Sequence, residues 1–338
     1  MPGFTDVPDR PSTLKLLAAF AAIYFIWGST YLGIKVAIEA MPPFFMAGSR
    51  FVLAGALLLA WLVLRGRVRA SMLSPRRVGL AAVVGVLMLG GGNGLVVWSI
   101  ERGAPTGLVA VLIAITPFWL VGIERLVEPS RRISARIVVG LAVGLAGIAV
   151  LSGILESTGA ARAPIEPAVL LLMLVATLSW ACGSMISRYG ARRVQGDADP
   201  LLAPALQMLA GGSVLLGYSV VTERWAEIDP LAITLRAWVG YAYLVLFGSI
   251  VAYSAFIWLL RNVSAAMVGT YAYVNPVVAV ALGALVLGEA ITLRTGIAST
   301  LILVAVGLIT WPTTGPAKPA KERTAPTPQA GEAADGVV

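Results

Sequence analysis

The chain has 338 residues, 58% hydrophobic and only 12% charged, with a mean hydropathy of +0.87. Soluble domains carry about a quarter charged residues, so this composition excludes a water-coated globule and makes lipid the solvent. The net charge of +8 does not mark a nucleic-acid binder, because the basic residues fall between apolar runs and form no basic face interleaved with aromatics.

Ten apolar runs follow in chain order, each near the 20 residues a helix needs to cross a hydrocarbon core. The first five cover residues 14–38, 44–64, 78–100, 106–127 and 134–155. The second five cover 168–187, 201–222, 237–260, 265–288 and 293–312. The expected fold class is an all-α polytopic membrane protein with ten transmembrane helices. Residues 1–13 read as a cytoplasmic leader with Asp6, Asp9 and Arg10 and no small-residue site for cleavage. Residues 313–338, rich in Pro and Ala, read as a disordered cytoplasmic tail.

Lysine and arginine counts set the expected orientation. The links after runs two, four, six and eight hold twelve, including Arg67, Arg77, Arg188 and Arg261, against six in the opposite links. Both termini are therefore expected in the cytoplasm, with Trp61 and Trp311 anchoring one interface and Trp225 and Trp238 the other.

The two halves resemble one another. Trp27 superposes on Trp180, Lys35 on Arg188, Arg50 on Gln207, Arg102 on Arg261, Thr116-Pro117 on Asn275-Pro276 and Gly147 on Gly307. The offset drifts only from 153 to 160, and the anchors keep one order. Each half has five helices, an odd number, so the halves must lie in the bilayer with opposite orientations. Such inverted repeats support alternating access about a site near the midplane.

Several of these residues carry a family likeness. Ile26-Trp27-Gly28-Ser29-Thr30-Tyr31, followed by Lys35, Pro42-Pro43 and Arg50-Phe51, resembles the opening of EamA-type members of the drug/metabolite transporter superfamily. Tyr271-Ala272-Tyr273-Val274-Asn275-Pro276-Val277, ending at Gly288-Glu289, is similar to the ninth helix of that family. The likeness spans residues 14–311 and is to the family's inner-membrane permeases. It implies two inverted five-helix repeats, here 14–155 and 168–312, and export of small metabolites or drugs. One departure is Glu128, which precedes Pro129 and lies about one residue out of register with Glu289.

Candidate site residues are those whose polarity is costly in an apolar run. Arg50 lies seven residues past Pro43, roughly 10 Å into its helix. It is either a fixed positive charge in a translocation cavity or an Arg snorkelling to the interface. Tyr24, Trp27 and Tyr31 share one helical face, as do Thr177, Trp180 and Ser184 in the sixth run. Aromatic walls with hydroxyls suit an amphiphilic solute, and plain helix packing is the alternative. Asn275 and Tyr271 lie one turn apart beside Pro276, and Pro276 and Pro117 are each expected to kink a helix. Gly90-Gly91-Gly92-Asn93-Gly94 either permits close helix contact or forms a hinge with Asn93 in the cavity. Gln207 is a neutral polar candidate. Glu124, near the cytoplasmic end, is a gate or proton site or else an interfacial carboxylate.

The resulting reading is a secondary transporter of small molecules in the cell (inner) membrane, possessing no cofactor and no metal site. Its partners are a small-molecule substrate and the lipid bilayer, with monomer and homodimer both open. The alternatives are a facilitative uniporter or exchanger and a channel-like permease. An enzyme needs a convergent nucleophile, base or metal set, poorly supplied by one Cys and no His. No Walker-type phosphate loop appears. Reporter fusions after Val338 should read cytoplasmic, and an external reading would reject the orientation.

Overall fold

A computed structural model describes residues 11–311 except 103, 105, 131–132, 153–166, 191–197, 226–232 and 288–291. The expectations for the leader before residue 11, the tail from 312, the end of the fifth run and Gly288-Glu289 lie outside the described residues. So do the side chains of Tyr31 and Lys35.

The described chain is helical, without strands. In order the helices are α1 (Thr13–Ile38), α2 (Pro43–Leu64), α3 (Pro75–Glu101), α4 (Leu108–Val127) and α5 (Ala135–Leu151). The second half repeats them as α6 (Pro167–Gly190), α7 (Leu202–Thr222), α8 (Leu235–Asn262), α9 (Ala265–Leu285) and α10 (Leu293–Thr310). Nine of these are long and apolar enough to cross a membrane, and α5, with 17 residues, is the shorter tenth. The protein is an all-α multi-pass membrane protein of two five-helix halves. The end of the bundle where α1 begins and α10 finishes is called the terminal end below, and the opposite one the distal end.

Helix starts follow local chemistry. Ser12, Ser74, Thr234, Ser264 and Thr292 each accept a backbone N–H from the first turn of the following helix. Pro43 and Pro75 occupy first-turn positions, where no amide hydrogen is missed. The α2 start lacks its own cap and borrows one. Glu223, just after α7, accepts from Phe44 N at 2.7 Å and Phe45 N at 2.8 Å. At the other end of the same helix pair, Arg67 bonds Asp199 at 2.5 Å, and Asp199 accepts from Leu201 N at the start of α7.

Between these ends α2 and α7 pack backbone to backbone. A Cβ on Gly212 would sit 2.8 Å from Val52 N, and one on Gly55 would sit 2.8 Å from Ala205 O. In the sequence superposition Gly55 matches Gly212 and Gly48 matches Ala205, so the Gly48–Gly212 and Gly55–Ala205 contacts are images of each other. The α5–α10 pair is less symmetric: Gly147 meets Ala298 O and Ile302, whereas Gly307 faces open space. Between α5, α9 and α10, Tyr273 is fully buried against Gly144 and donates to Leu141 O at 3.2 Å.

Three helices widen to a π-turn inside the bundle: α1 over Ala22–Ile26, α3 over Val86–Asn93 and α8 over Leu244–Tyr253. The α3 and α8 segments occupy equivalent places in the repeat. The glycine run from Gly90 to Gly94 therefore does not break α3; it widens it, and Gly91 and Gly92 lie against Ser179 and Trp180. Each proline follows a break in its helix. In α4 the helix stops after Ile113 and restarts at Thr116-Pro117. In α9 it breaks at Thr270, and Pro276 lies within the following helix.

Gly212→Ala should lower the midpoint of thermal unfolding in detergent, because its methyl meets backbone that cannot yield. Gly217→Ala, on the same helix with nothing within 4 Å, should leave that midpoint unchanged or raise it slightly.

Candidate functional site

Within the bundle lies a cavity of about 290 Å³, near the small end of the range for small-molecule sites. Its walls come from α1–α4 on one side and α6, α8 and α9 on the other. The lining runs from Trp27, Trp180, Tyr253 and Tyr271 at mid-depth to Ile34 and Ile100 near the distal end. Lining residues from the terminal end are absent among the described ones, so the space opens distally.

Arg50 is the one charged residue among those lining this cavity, and it is 6% exposed. Its guanidinium lies over the ring of Phe51 at 4.4 Å, and its Nε has no hydrogen-bond partner. A cation at such depth costs several kcal/mol unless it meets a partner or a cavity. Here it lines a cavity. Trp180 brings a second donor to the wall, since its Nε1 is likewise buried without a partner.

The floor is aromatic. Trp27 lies 6.0 Å from Trp180, 5.2 Å from Phe256 and 5.2 Å from Tyr271, ring centre to ring centre. One of these rings, Trp27, is held by a π-turn. A π-turn disturbs the regular ladder and leaves carbonyls in need of donors. Trp27 Nε1 donates to Gly248 O in α8 at 3.0 Å, and Ser179 Oγ donates to Leu87 O in α3 at 2.7 Å. In each half, then, the first helix docks on the widened third helix of the other half. Asn275 does similar work: its amide nitrogen, oriented to satisfy it, lies 3.0–3.2 Å from the carbonyls of Ile23, Tyr24 and Tyr271.

Below the floor two further contacts close the terminal end. Tyr253 Oη donates to Gln207 Oε1 at 3.0 Å. Deeper still, Arg188 and Glu124 form a buried ion pair at 3.4 Å, 7% and 6% exposed. Arg188 also donates to Leu260 O and Val263 O at the end of α8, while Glu124 accepts from Ala265 N at the start of α9. Each charge thus meets the helix end of opposite dipole, and together they clasp the α8–α9 turn.

Trp27, Arg50, Asn93, Trp180, Tyr271 and Asn275 all line the cavity. Three other candidates do not. Tyr24 turns to Thr270, with 2.5 Å between hydroxyls. Ser184 is buried and donates to Trp180 O, satisfied by its own helix. Gln207 faces a smaller pocket at the terminal end. Glu124 is buried between Arg188 and the α9 start. Pro117 packs against Gly269, which ties the α4 restart to the α9 break.

Sequence reading overlooked Tyr253, Phe256 and the role of Arg188. Arg188 continues the four-residue series through Thr177, Trp180 and Ser184, and that series could have found it. Tyr253 gives no local signal, since its importance depends on a glutamine 46 residues away.

A helical membrane bundle with an internal cavity defines a class, the polytopic membrane transporter, and the comparisons narrow it. The chain matches the EamA-like transporter family over residues 14–153 and 167–311 and belongs to that family. It is 40% identical over 299 residues to the inner membrane transporter YedA of Escherichia coli strain K12, covering 88% of this chain and 91% of that protein. A probable amino-acid metabolite efflux pump of Salmonella typhimurium is 26% identical, over 80% of this chain and 86% of its own. The S-adenosylmethionine/S-adenosylhomocysteine transporter of Chlamydia trachomatis is 28% identical, over 78% and 80%. One solved crystal structure superposes with a TM-score of 0.73 at 22% identity, over 88% of this chain and 96% of that one, a likeness of fold. The protein is a membrane transporter and not an enzyme.

Arg188→Met should destabilise the protein by about 3–5 kcal/mol, because it strands the Glu124 charge and frees two carbonyls. Thermal denaturation in detergent reads this. A variant as stable as wild type would show that the pair does not hold the terminal end.

Proposed function

We propose that the protein exports small carboxylate-bearing solutes, such as amino acids or organic acids, across the inner membrane by alternating access. The observation that carries this is Arg50. A guanidinium keeps its proton in proteins, and the cavity it lines contains no carboxylate among the described residues. The cavity therefore has a standing positive charge that repels cations and is completed by an anionic group. Carboxylates also fit the guanidinium fork bidentately. The aromatic floor offers apolar area for the rest of the solute.

One relative agrees in kind, being described as a probable amino-acid metabolite efflux pump. The blind floor favours a carrier over a continuous pore. With no acid lining the cavity among the described residues, exchange or facilitated movement is the second reading for its energetics. In this mechanism the first repeat corresponds to residues 14–155 and the second to 168–312. The Tyr253–Gln207 bond and the Glu124–Arg188 clasp form the closed gate on the cytoplasmic side, and both must open for the inward state.

Arg50→Gln should reduce transport of a carboxylate solute in proteoliposomes at least about tenfold, the loss of one charge-assisted pair. Arg50→Lys should fall between, keeping charge but losing the fork. Unchanged transport by Arg50→Gln would refute the assignment of substrate class.

A further inference from the structure

A second pocket, of about 130 Å³, lies at the terminal end between α3, α6, α7 and α8. Arg77, Ser187, Ala203, Gln207 and Arg261 are among its lining residues. One carboxylate also lines it, Asp199, but that group is already committed to Arg67 and to Leu201 N. Arg261 has no hydrogen-bond or ion-pair partner among the described residues, and it lies exposed at the rim.

The position of this pocket follows from the repeat. Superposing the halves places Ser187 on Ile34, Ala203 on Met46 and Gln207 on Arg50. Ile34, Met46 and Arg50 all line the large cavity. The small pocket is therefore the image of the large one under the inverted repeat, collapsed because the terminal end is closed. A hydrogen bond links the two linings: Tyr253 lines the cavity, Gln207 lines the pocket, and they bond at 3.0 Å.

We propose that this pocket is a second station for the transported anion, in which Arg261 attracts the carboxylate and the Gln207 amide receives it at the closed gate. The proposal rests on the carboxylate reading above and extends it to the other side of the membrane. The exchange of Arg50 for Gln207 makes the two stations unequal. The distal one binds by a buried fixed charge. The terminal one combines a neutral amide with two arginines in its lining, Arg77 and the exposed Arg261. Tyr253 is then the positioning residue that holds the Gln207 amide until the gate opens.

The test uses full-length protein in nanodiscs, with Cys182→Ala as background and Ala203→Cys as reporter. Two thiol reagents serve as probes, the anionic sulfonatoethyl and the cationic trimethylammonioethyl methanethiosulfonate. The anionic reagent should react faster at Ala203→Cys relative to their rates with free thiol. Arg261→Gln should lower that preference about fivefold, the effect of one nearby charge acting oppositely on the two probes. Arg50→Gln should leave it unchanged. Benzoate should slow labelling by a neutral maleimide, and Arg261→Gln should abolish that protection. No labelling, no anionic preference, a preference indifferent to Arg261→Gln, or no benzoate protection would overturn the proposal. Ile34→Cys with and without Arg50→Gln is the companion measurement. If its anionic preference depends on Arg50 while that at Ala203→Cys ignores Arg261, the second station fails and the cavity reading stands. If the Ile34→Cys preference ignores Arg50, the cavity reading itself fails.

Discussion

Lipid offers no hydrogen bonds, and every polar group in this bundle must find a partner inside it or face a cavity. Much of the observed architecture follows from that constraint. The π-turns of α3 and α8 present carbonyls, and a residue from the opposite half answers each one. Asn275 serves the carbonyls of the widened part of α1. Glu124 and Arg188 satisfy each other and the two ends of the α8–α9 turn. Among the buried polar atoms without a hydrogen bond, Arg50 Nε and Trp180 Nε1 share one feature: both residues line the same space.

The inverted repeat distributes these partners in a way that couples the halves. The α2–α7 pair is locked by glycine-mediated backbone contact and by a carboxylate at each end. Around it, α1 is pinned to α8 and α6 to α3. The repeat is not exact: Gln207 stands where the first half has the charged Arg50, and Gly307 faces open space where Gly147 meets a neighbour.

Much of this was legible in the sequence because lipid imposes a length and a polarity on each segment. The helix number, the paired Trp27 and Trp180 and the cavity residues on α1, α2, α3 and α9 could be read from position alone. What could not be read was where a side chain pointed when packing decided it. Ser184 shares a face with Trp180 by spacing, yet bonds its own backbone. Tyr24 lies three residues from Trp27 but within the π-turn Ala22–Ile26, which rotates the face that simple spacing predicts. The partner of Glu124, Arg188, is 64 residues away, beyond the reach of local spacing. The contact of Pro117 with Gly269, which joins α4 to α9, is equally invisible in the sequence.

In the proposed function a fixed guanidinium selects the carboxylate of the solute. The most direct measurement is thermal stabilisation of the purified protein by matched solutes, each an amino acid or organic acid and its own carboxamide. Ligands that bind the folded state raise its apparent stability by mass action. The account predicts that some acids raise the unfolding midpoint while their carboxamides do not, and that Arg50→Gln removes the difference. Carboxamides or amines that stabilise the protein as well as the acids do would contradict it.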